Sequence, residues 1–292
     1  LRRNTGHVDL LRMKDAGALA QFFAIYLPMD DNLTPYRLFQ EIYNVYTREL
    51  AANSDLIAPA ISYDDILIHD REGRMSAVLS VEDGHLLAGK LERLDELYDK
   101  GVRLMTLLWC RENCIGFPDS LKREEHRLGL KPFGFDVIEK MNQLGMIIDV
   151  SHLSEGGFYD VAAHSKKPFV ASHSCARSLC GHSRNLSDEQ LRCISEKGGV
   201  VGVNYNSYFL REGSDFSSME DILLHVDYLI NLMGVDSVAL GSDFDGIECR
   251  MEMRGYGQYQ RLVEQLERRY PAETAEKICC KNVLRMMKEC CD

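Results

Sequence analysis

Two short apolar runs within residues 146–185 end in the same dipeptide, and this repeat constrains the fold more than any other feature. The run MIIDV is followed by Ser151-His152, and the run FVA is followed by Ser172-His173. The two histidines are 21 residues apart, about one strand–helix–strand unit, so each is expected just past the carboxyl end of a strand. In parallel α/β proteins that edge carries the functional site, and neutral imidazole is a common zinc ligand. The pair therefore indicates either half of a metal site or two polar residues that only cap their strands.

Strand-like and helix-like segments alternate along the whole chain. Apolar runs that suit buried strands lie near residues 20, 78, 105, 148, 170, 201 and 239. Such alternation is typical of parallel βα units, and no linker interrupts it, so we predict a single domain over residues 1–292. Seven strands are one fewer than an α/β barrel of the (β/α)8 TIM type contains, so we predict such a barrel lacking its first strand. The alternative is a doubly wound open sheet, although no G-x-G-x-x-G or P-loop motif supports a nucleotide-binding version.

Some local predictions are specific enough to be compared with the structure. Residues 1–14 are predicted to be irregular, residues 86–100 to form one amphipathic helix, and residues 111–130 to form a loop. A helix over residues 133–144 is predicted to end at Gly145, because glycine directly after the last apolar position stops a helix. Ser187 and Gln190 are spaced as a capping box for a helix that runs to Lys197.

Composition and charge argue against several classes of function. The formal net charge is −11, which disfavours a nucleic-acid partner because such proteins usually present a basic surface. No apolar run reaches the length of a membrane span, so we expect no membrane association. Ten cysteines in 292 residues are too few for a disulfide scaffold, so we interpret them as reduced thiols of a cytoplasmic protein. The outer helix faces are where a homodimer interface would lie, although the sequence does not specify one.

A polar or aromatic side chain follows six of the seven predicted strands. In chain order these residues are Glu82, Trp109, His152, His173, Asn204 and Asp243. Because two histidines and two carboxylates converge on one rim, the pattern indicates a hydrolase in which a metal ion activates water. Glu82 would ligate one ion or bridge two, and Asp243 would pass a proton from the attacking water to the leaving group. Arg184 would clamp a substrate carboxylate through a bidentate pair of hydrogen bonds, or else be a surface arginine.

The motifs around these residues resemble those of the renal-type (membrane) dipeptidase family of zinc metallopeptidases, particularly its bacterial members. The matching motifs are Val81-Glu82-Asp83-Gly84-His85, Pro132-Phe133-Gly134, Gly145-Met146-Ile147-Ile148-Asp149-Val150-Ser151-His152, Ala171-Ser172-His173-Ser174, Ser183-Arg184-Asn185 and Gly241-Ser242-Asp243-Phe244-Asp245-Gly246. They occur in the family's order over nearly the whole chain and are highly specific as a set. The resemblance implies a (β/α)8 barrel with two zinc ions that hydrolyses dipeptides, often with a D-residue at the C-terminal position.

The resemblance also implies roles for individual residues. Glu82 would be the carboxylate that bridges both metal ions, and His152 and His173 would be ligands of one of them. Arg184 would hold the terminal carboxylate of the substrate. Asp243 would be the catalytic acid and base beside the substrate's amino group.

The chain departs from the family pattern at two places. The family supplies the other metal's ligands from an H-x-D motif within an apolar first strand. His7 and Asp9 have that spacing but lack the apolar run before them, so we do not expect them to ligate metal, and we expect the missing strand and motif upstream of Leu1. Trp109 stands where mammalian members have a histidine that polarises the scissile carbonyl. It would either donate a hydrogen bond to the oxyanion or form a wall of the substrate pocket.

The sequence therefore predicts a zinc-dependent dipeptidase and leaves two alternatives open. One is a non-catalytic, metal-poor barrel that serves as a binding scaffold. The other is an amidohydrolase that acts on a different amide or ester. Hydrolysis of a simple dipeptide with added zinc separates an enzyme from a scaffold, and the effect of removing Arg184 separates a dipeptidase from other amidohydrolases.

Overall fold

The computed structural model describes residues 1–28 and 34–292. Its strands, labelled β1 to β10 in chain order, span Ala20–Tyr26, Ile57–Pro59, Met75–Glu82, Val102–Thr106, Ile147–Asp149, Val170–Ser174, Val200–Val203, Phe216–Ser217, Val238–Leu240 and Arg250–Met251. Its α-helices, labelled α1 to α13, span Leu10–Asp15, Pro35–Ala52, Tyr63–Arg71, Arg93–Asp99, Arg123–His126, Pro132–Leu144, Glu155–His164, Asp188–Glu196, Ser207–Leu210, Met219–Met233, Tyr259–Arg269, Ala272–Glu276 and Asn282–Cys291. The seven predicted strands are present as β1, β3, β4, β5, β6, β7 and β9, which confirms the predicted alternation of strands and helices.

Residues 19–169 and 287–292 form one compact unit, here called the first unit. In it β1, β3, β4 and β5 lie side by side and parallel, and β2 pairs in parallel with the start of β3. The central strand β3 is buried from its first residue to the one before Glu82. A continuous apolar run of this kind is what a parallel strand covered on both faces requires.

Residues 1–18 and 170–286 form the second unit. Its strands β6, β7 and β9 are parallel and adjacent in that order, and β8 and β10 make a separate two-stranded parallel sheet. A Cβ atom at Gly202 or Gly241 would overlap the carbonyl oxygen of Ser172 in β6. Glycine at these two positions therefore lets the backbones approach closely at the carboxyl ends of the strands.

Helix boundaries agree with the sequence in some places and differ in others. Helix α6 stops before Gly145, whose φ is 81°, and the capping box of α8 forms between Ser187 and Gln190, so both predictions are confirmed. The single helix predicted over residues 86–100 is wrong. Ala88 adopts a left-handed conformation that closes a short 3-10 helix, and only α4 is α-helical in this segment.

Other elements were not predicted from the sequence. Residues 1–14 were expected to be irregular, but α1 forms there because the Asp9 carboxylate accepts the Arg12 N–H at the start of the helix. Helix α3 begins at a capping box in which Ser62 and Asp65 exchange side-chain-to-backbone hydrogen bonds. Helix α5 lies inside the segment predicted to be a loop.

Large aromatic side chains fill the core of each unit. In the first unit Phe158 packs edge-on against Phe169, with ring centroids 5.8 Å apart. In the second unit the buried Tyr205 packs edge-on against Phe244, at 5.6 Å. In the part of the chain that the structure describes, no helix combines the length and apolar character needed to cross a membrane.

Candidate active site

Polar side chains stand in register at the carboxyl ends of the first unit's strands. Glu82 of β3 is paired with Tyr26 of β1 on one side and with Thr106 of β4 on the other, and Thr106 is paired with Asp149 of β5. Thr106 Oγ1 donates a 2.7 Å hydrogen bond to Oδ2 of the fully buried Asp149. The Ser151 N–H donates to the other carboxylate oxygen, at 3.0 Å. Asp149 therefore holds the turn that follows β5.

That turn places His152 against Glu82. The Nε2 atom of His152 lies 3.0 Å from Oε1 of Glu82, and the two side chains are 13% and 15% exposed. His152 has a φ of 68°, a left-handed conformation that is uncommon for a residue with a Cβ atom. Its carbonyl oxygen accepts a 2.8 Å hydrogen bond from the Asp119 N–H, so the loop after β4 fixes the turn. Backbone strain held in place by surrounding contacts is frequent at functional sites.

The residue after Glu82 is held in the same way. Asp83 has a φ of 81°, and its carboxylate accepts hydrogen bonds from the His85 N–H at 3.0 Å and from Asn113 Nδ2 at 2.8 Å. Asn113 Nδ2 also donates to the carbonyl oxygen of Leu107, beyond the end of β4. These bonds fix the direction in which the Glu82 side chain leaves the sheet.

The sequence predicted that His173 follows the end of its strand. In the structure His173 lies within β6 of the second unit, so this part of the prediction is wrong. Its side chain is largely buried, and its Nδ1 atom is 2.7 Å from Ser172 Oγ. When Nδ1 carries the proton of this hydrogen bond, the Nε2 lone pair is the one that can bind a metal ion.

Asn204 connects the end of β7 to Asp243. Its Nδ2 group donates a 3.0 Å hydrogen bond to Oδ2 of Asp243 and lies 3.5 Å from the carbonyl oxygen of His173. Asn204 is fully buried, and its Oδ1 accepts the Asn206 N–H at 2.7 Å, so its orientation is fixed. Asp243 itself has a φ of 60°. The asparagine, to which the sequence assigned no role, therefore positions the carboxylate that was predicted to move the proton.

Arg184 is 7% exposed, which a surface arginine would not be. Its guanidinium carbon lies 5.5 Å from the ring centroid of Phe209, and its Nη2 atom lies 3.5 Å from the carbonyl oxygen of His173. Its backbone N–H donates to His182 Nδ1 at 3.1 Å. The structure thus holds a buried cation next to the strand that carries His173.

Trp109 packs edge-on against Tyr26, with ring centroids 4.9 Å apart at an angle of 71°. Since Tyr26 is the neighbour of Glu82 in register, the indole belongs to the same edge of the first unit. Burial, followed by the nearby Cys110 and Glu82, raises the pKa of Tyr26 to about 12, so its hydroxyl keeps its proton at neutral pH. Tyr26 was not among the predicted site residues. Its position at the end of the first predicted strand was the sequence signal that could have indicated it.

The pair His7 and Asp9 makes other contacts. Asp9 accepts hydrogen bonds from the backbone N–H and from Nε of Arg12, at 2.9 and 2.8 Å. The Asp245 carboxylate accepts the His7 and Val8 N–H groups, and the Asp245 N–H donates to His7 Nδ1 at 2.9 Å. The Asp9 carboxylate and the Nδ1 atom of His7 therefore help to hold the N-terminal segment. That this pair does not ligate a metal stays a prediction from the sequence.

Glu82, His152 and His173 form a group that suits a metal ion. Each offers one ligand atom, and these atoms all lie within 4.8 Å of one another. Two histidines and one glutamate are an established ligand set of catalytic zinc sites. The 3.0 Å between His152 and Glu82 is close to the roughly 3.3 Å between two ligand atoms bound tetrahedrally to one zinc ion. Donor chemistry and spacing therefore both fit a metal.

A family model described as membrane dipeptidase (peptidase family M19) matches residues 2–292. The chain belongs to the membrane dipeptidase family. Dipeptidase tcpJ of Claviceps purpurea is 31% identical in an alignment 298 residues long, which covers 97% of this chain and 69% of that protein. The solved structure of dipeptidase AC, an M19 metallopeptidase, has a TM-score of 0.90 at 28% identity and covers 99% of this chain and 90% of its own. A metallopeptidase from Rhodobacter sphaeroides, liganded with a phosphinate mimic of the dipeptide L-Ala-D-Ala, has a TM-score of 0.88 at 27% identity, with 99% and 91% covered.

These comparisons confirm the resemblance that the motifs indicated. The likeness to solved M19 structures confirms the predicted TIM-type α/β class over the doubly wound alternative. Membership of the family also confirms that the chain is a peptide-bond hydrolase of the dipeptidase type. The family and the group of Glu82, His152 and His173 together indicate that this membrane dipeptidase homologue uses a metal.

Proposed function

We propose that this chain hydrolyses the peptide bond of dipeptides with a zinc-activated water molecule. The observation that carries the proposal is the group of Glu82, His152 and His173, whose ligand atoms lie within 4.8 Å of one another. The relative from Rhodobacter sphaeroides binds a mimic of L-Ala-D-Ala, which supports a dipeptide substrate and a D-residue at its C-terminal position. Zinc, when bound, supplies a Lewis acid that lowers the pKa of water and polarises the scissile carbonyl.

The chain's own residues hold the metal and move the proton. Glu82, His152 and His173 would hold the metal ion, and Glu82 would also help to hold a second ion. The Asp243 carboxylate, which the Asn204 Nδ2 hydrogen bond to Oδ2 holds in place, takes a proton from the attacking water. The same carboxylate then passes that proton to the amine of the leaving amino acid.

Other residues bind the substrate. Arg184 pairs with the C-terminal carboxylate through charge-assisted hydrogen bonds, which its burial strengthens. Trp109, which packs against Tyr26, forms a wall of the pocket and donates its indole N–H to the oxyanion.

We also propose a cytoplasmic location, because ten cysteines in 292 residues are too few for a disulfide scaffold. Reducing compartments keep cysteines of such proteins as thiols. The homodimer stays a prediction from the sequence.

Hydrolysis of L-Ala-D-Ala by the zinc-loaded chain tests the proposal. Glu82→Gln and His152→Asn should each lower kcat/KM by at least about 10²-fold, because each removes a metal ligand. Matched controls are Glu72→Gln and His164→Asn, which change an exposed glutamate and an exposed histidine outside the site. Absence of turnover by the zinc-loaded full-length protein would show that it is a scaffold. Full activity in both ligand variants would show that the metal is held elsewhere.

A further inference from the structure

A cavity of about 610 Å³ lies in the first unit, away from the residues of the candidate active site. Helix α2, strand β2 and the start of β4 form its walls, and the rings of Tyr43 and Tyr98 are among its lining. Arg103 lines it near the start of β4, whereas Thr106, the neighbour of Glu82 in register, ends that strand. Small-molecule sites usually measure about 300–1,000 Å³, so the cavity has the size of a ligand pocket.

Arg103 is the unusual side chain of this cavity, because it is a cation that is only 4% exposed. Its Nε donates to the carbonyl oxygen of Ile61 at 2.8 Å, and its Nη1 donates to those of Tyr98 and Val102 at 2.9 and 3.0 Å. Its guanidinium carbon lies 3.8 Å from the ring centroid of Tyr98. Within residues 1–28 and 34–292, no carboxylate pairs with Arg103 and no acceptor bonds its Nη2 group. A buried charge without a counter-charge is unfavourable, so this place favours an anion.

The other charged residues around the cavity reinforce this preference. Lys100 and Arg103 line it together with a single acidic residue, Asp99. Arg74 also lines it but already forms an ion pair with Glu72. With Arg74 paired, the two cations Arg103 and Lys100 exceed the one carboxylate of Asp99, so the lining keeps one net positive charge for a ligand.

The walls select the rest of the ligand. Tyr43, Tyr46 and Tyr98 supply aromatic surface, and Leu50 and Ile57 supply aliphatic surface. Burial raises the pKa of Tyr46 well above its usual range, so its hydroxyl stays neutral and adds no charge. An inorganic anion would leave these apolar walls in contact with water, and a neutral apolar molecule would leave Arg103 without a counter-charge.

We propose that this cavity is a second ligand site, which binds a small organic anion with a flat apolar body, an aromatic carboxylate. The carboxylate accepts hydrogen bonds from Nη2 of Arg103, with Lys100 as the second cation. The ring of the ligand packs between Tyr43 and Tyr98. The site is independent of dipeptide hydrolysis, since none of its residues belongs to the candidate active site.

The test uses 3-phenylpropionate as the probe and 3-phenylpropanamide as its uncharged match. Calorimetric titration is carried out on the full zinc-loaded chain with saturating L-Ala-D-Ala phosphinate mimic, which occupies the candidate active site. We expect the acid to bind at least about tenfold more tightly than the amide. Arg103→Gln should remove that difference. Arg48→Gln, an exposed arginine on α2 that does not line the cavity, should preserve it.

Because Arg103 also ties three carbonyl groups together, a second variant is needed that leaves those bonds intact. Thr47 is exposed at the cavity wall, and Thr47→Trp should fill the space. It should weaken binding of the acid at least about tenfold while the dipeptidase rate and the unfolding temperature stay unchanged. Equal affinities for acid and amide, no binding of the acid, or unchanged binding in Thr47→Trp would overturn the proposal. A dimer that sedimentation shows to be abolished by Thr47→Trp would also overturn it, because a second copy would then occupy the cavity.

Discussion

Replacing Arg184 by glutamine separates substrate binding from chemistry in the candidate active site. Arg184 is 7% exposed, so a carboxylate that pairs with it loses most of its contact with water. A hydrogen bond to a charged group contributes about 1.5–3 kcal/mol, whereas removing one member of a buried ion pair costs about 3–5 kcal/mol. The cost of breaking a buried ion pair applies here, because glutamine leaves the substrate carboxylate without a counter-charge even though it keeps a hydrogen-bond donor. We therefore expect kcat/KM for a dipeptide to fall by about 10²–10⁴-fold, which corresponds to about 3–5 kcal/mol.

The assay compares L-Ala-D-Ala with its C-terminal amide, which lacks the carboxylate. The wild-type chain should prefer the acid, and Arg184→Gln should reduce that preference by the factor just given while kcat/KM on the amide changes little. Arg192→Gln is the matched control, since Arg192 is an exposed arginine of α8. Equal losses on both substrates, or an unchanged preference for the acid, would refute a carboxylate-binding role.

Two further predictions concern stability. The Nδ1 atom of buried His225 accepts the Ala176 N–H at 3.1 Å, and burial lowers the pKa of His225 from its usual value of about 6.5. As the pH falls, the unfolded chain therefore binds this proton before the folded chain does. The free energy of unfolding measured with urea should decrease as the pH drops below about 6.5. An equally steep decrease with pH in wild type and in His225→Gln would contradict this. Gly145 and Gly213 both have positive φ, but a Cβ at Gly145 would lie 2.7 Å from the carbonyl oxygen of Cys290, while one at Gly213 meets nothing within 4 Å. In denaturant unfolding, Gly213→Ala should lower the free energy of unfolding by about 1–2 kcal/mol, and Gly145→Ala should lower it by about 1–3 kcal/mol more. Equal decreases in the two variants would refute the steric argument.

The strands were predictable because parallel strands covered on both faces are short apolar runs that the sequence displays directly. The run before Glu82 is one example, since every residue of β3 ahead of it is buried. Strand β2 was missed because its buried apolar part is only Ile57 and Ala58, and Pro59 ends it. The helix predicted over residues 86–100 failed for a different reason. The apolar spacing continues through the segment, but Ala88 and Gly89 both adopt positive φ, and spacing does not report backbone conformation.

The candidate site could be predicted as a set of residue types but not as a set of contacts. Motifs pointed to Glu82, His152 and His173, and the structure groups their ligand atoms. The hydrogen bond from Asn204 to Asp243 was not predictable, because it depends on how neighbouring strand ends are aligned in space.

The left-handed backbone conformation of His152 also could not be predicted from the sequence. Histidine adopts a left-handed backbone more often than most residues with a Cβ atom, but its presence in a sequence does not specify a φ of 68°. The contacts of the loop after β4 impose it, and those contacts join segments that are distant in sequence.

Anomalous diffraction from crystals grown with zinc tests the central claim most directly. The account predicts a peak at the zinc absorption edge about 2.0–2.2 Å from ligand atoms of Glu82, His152 and His173. A zinc peak held by other residues, or no peak at these three side chains in zinc-containing crystals, would contradict it.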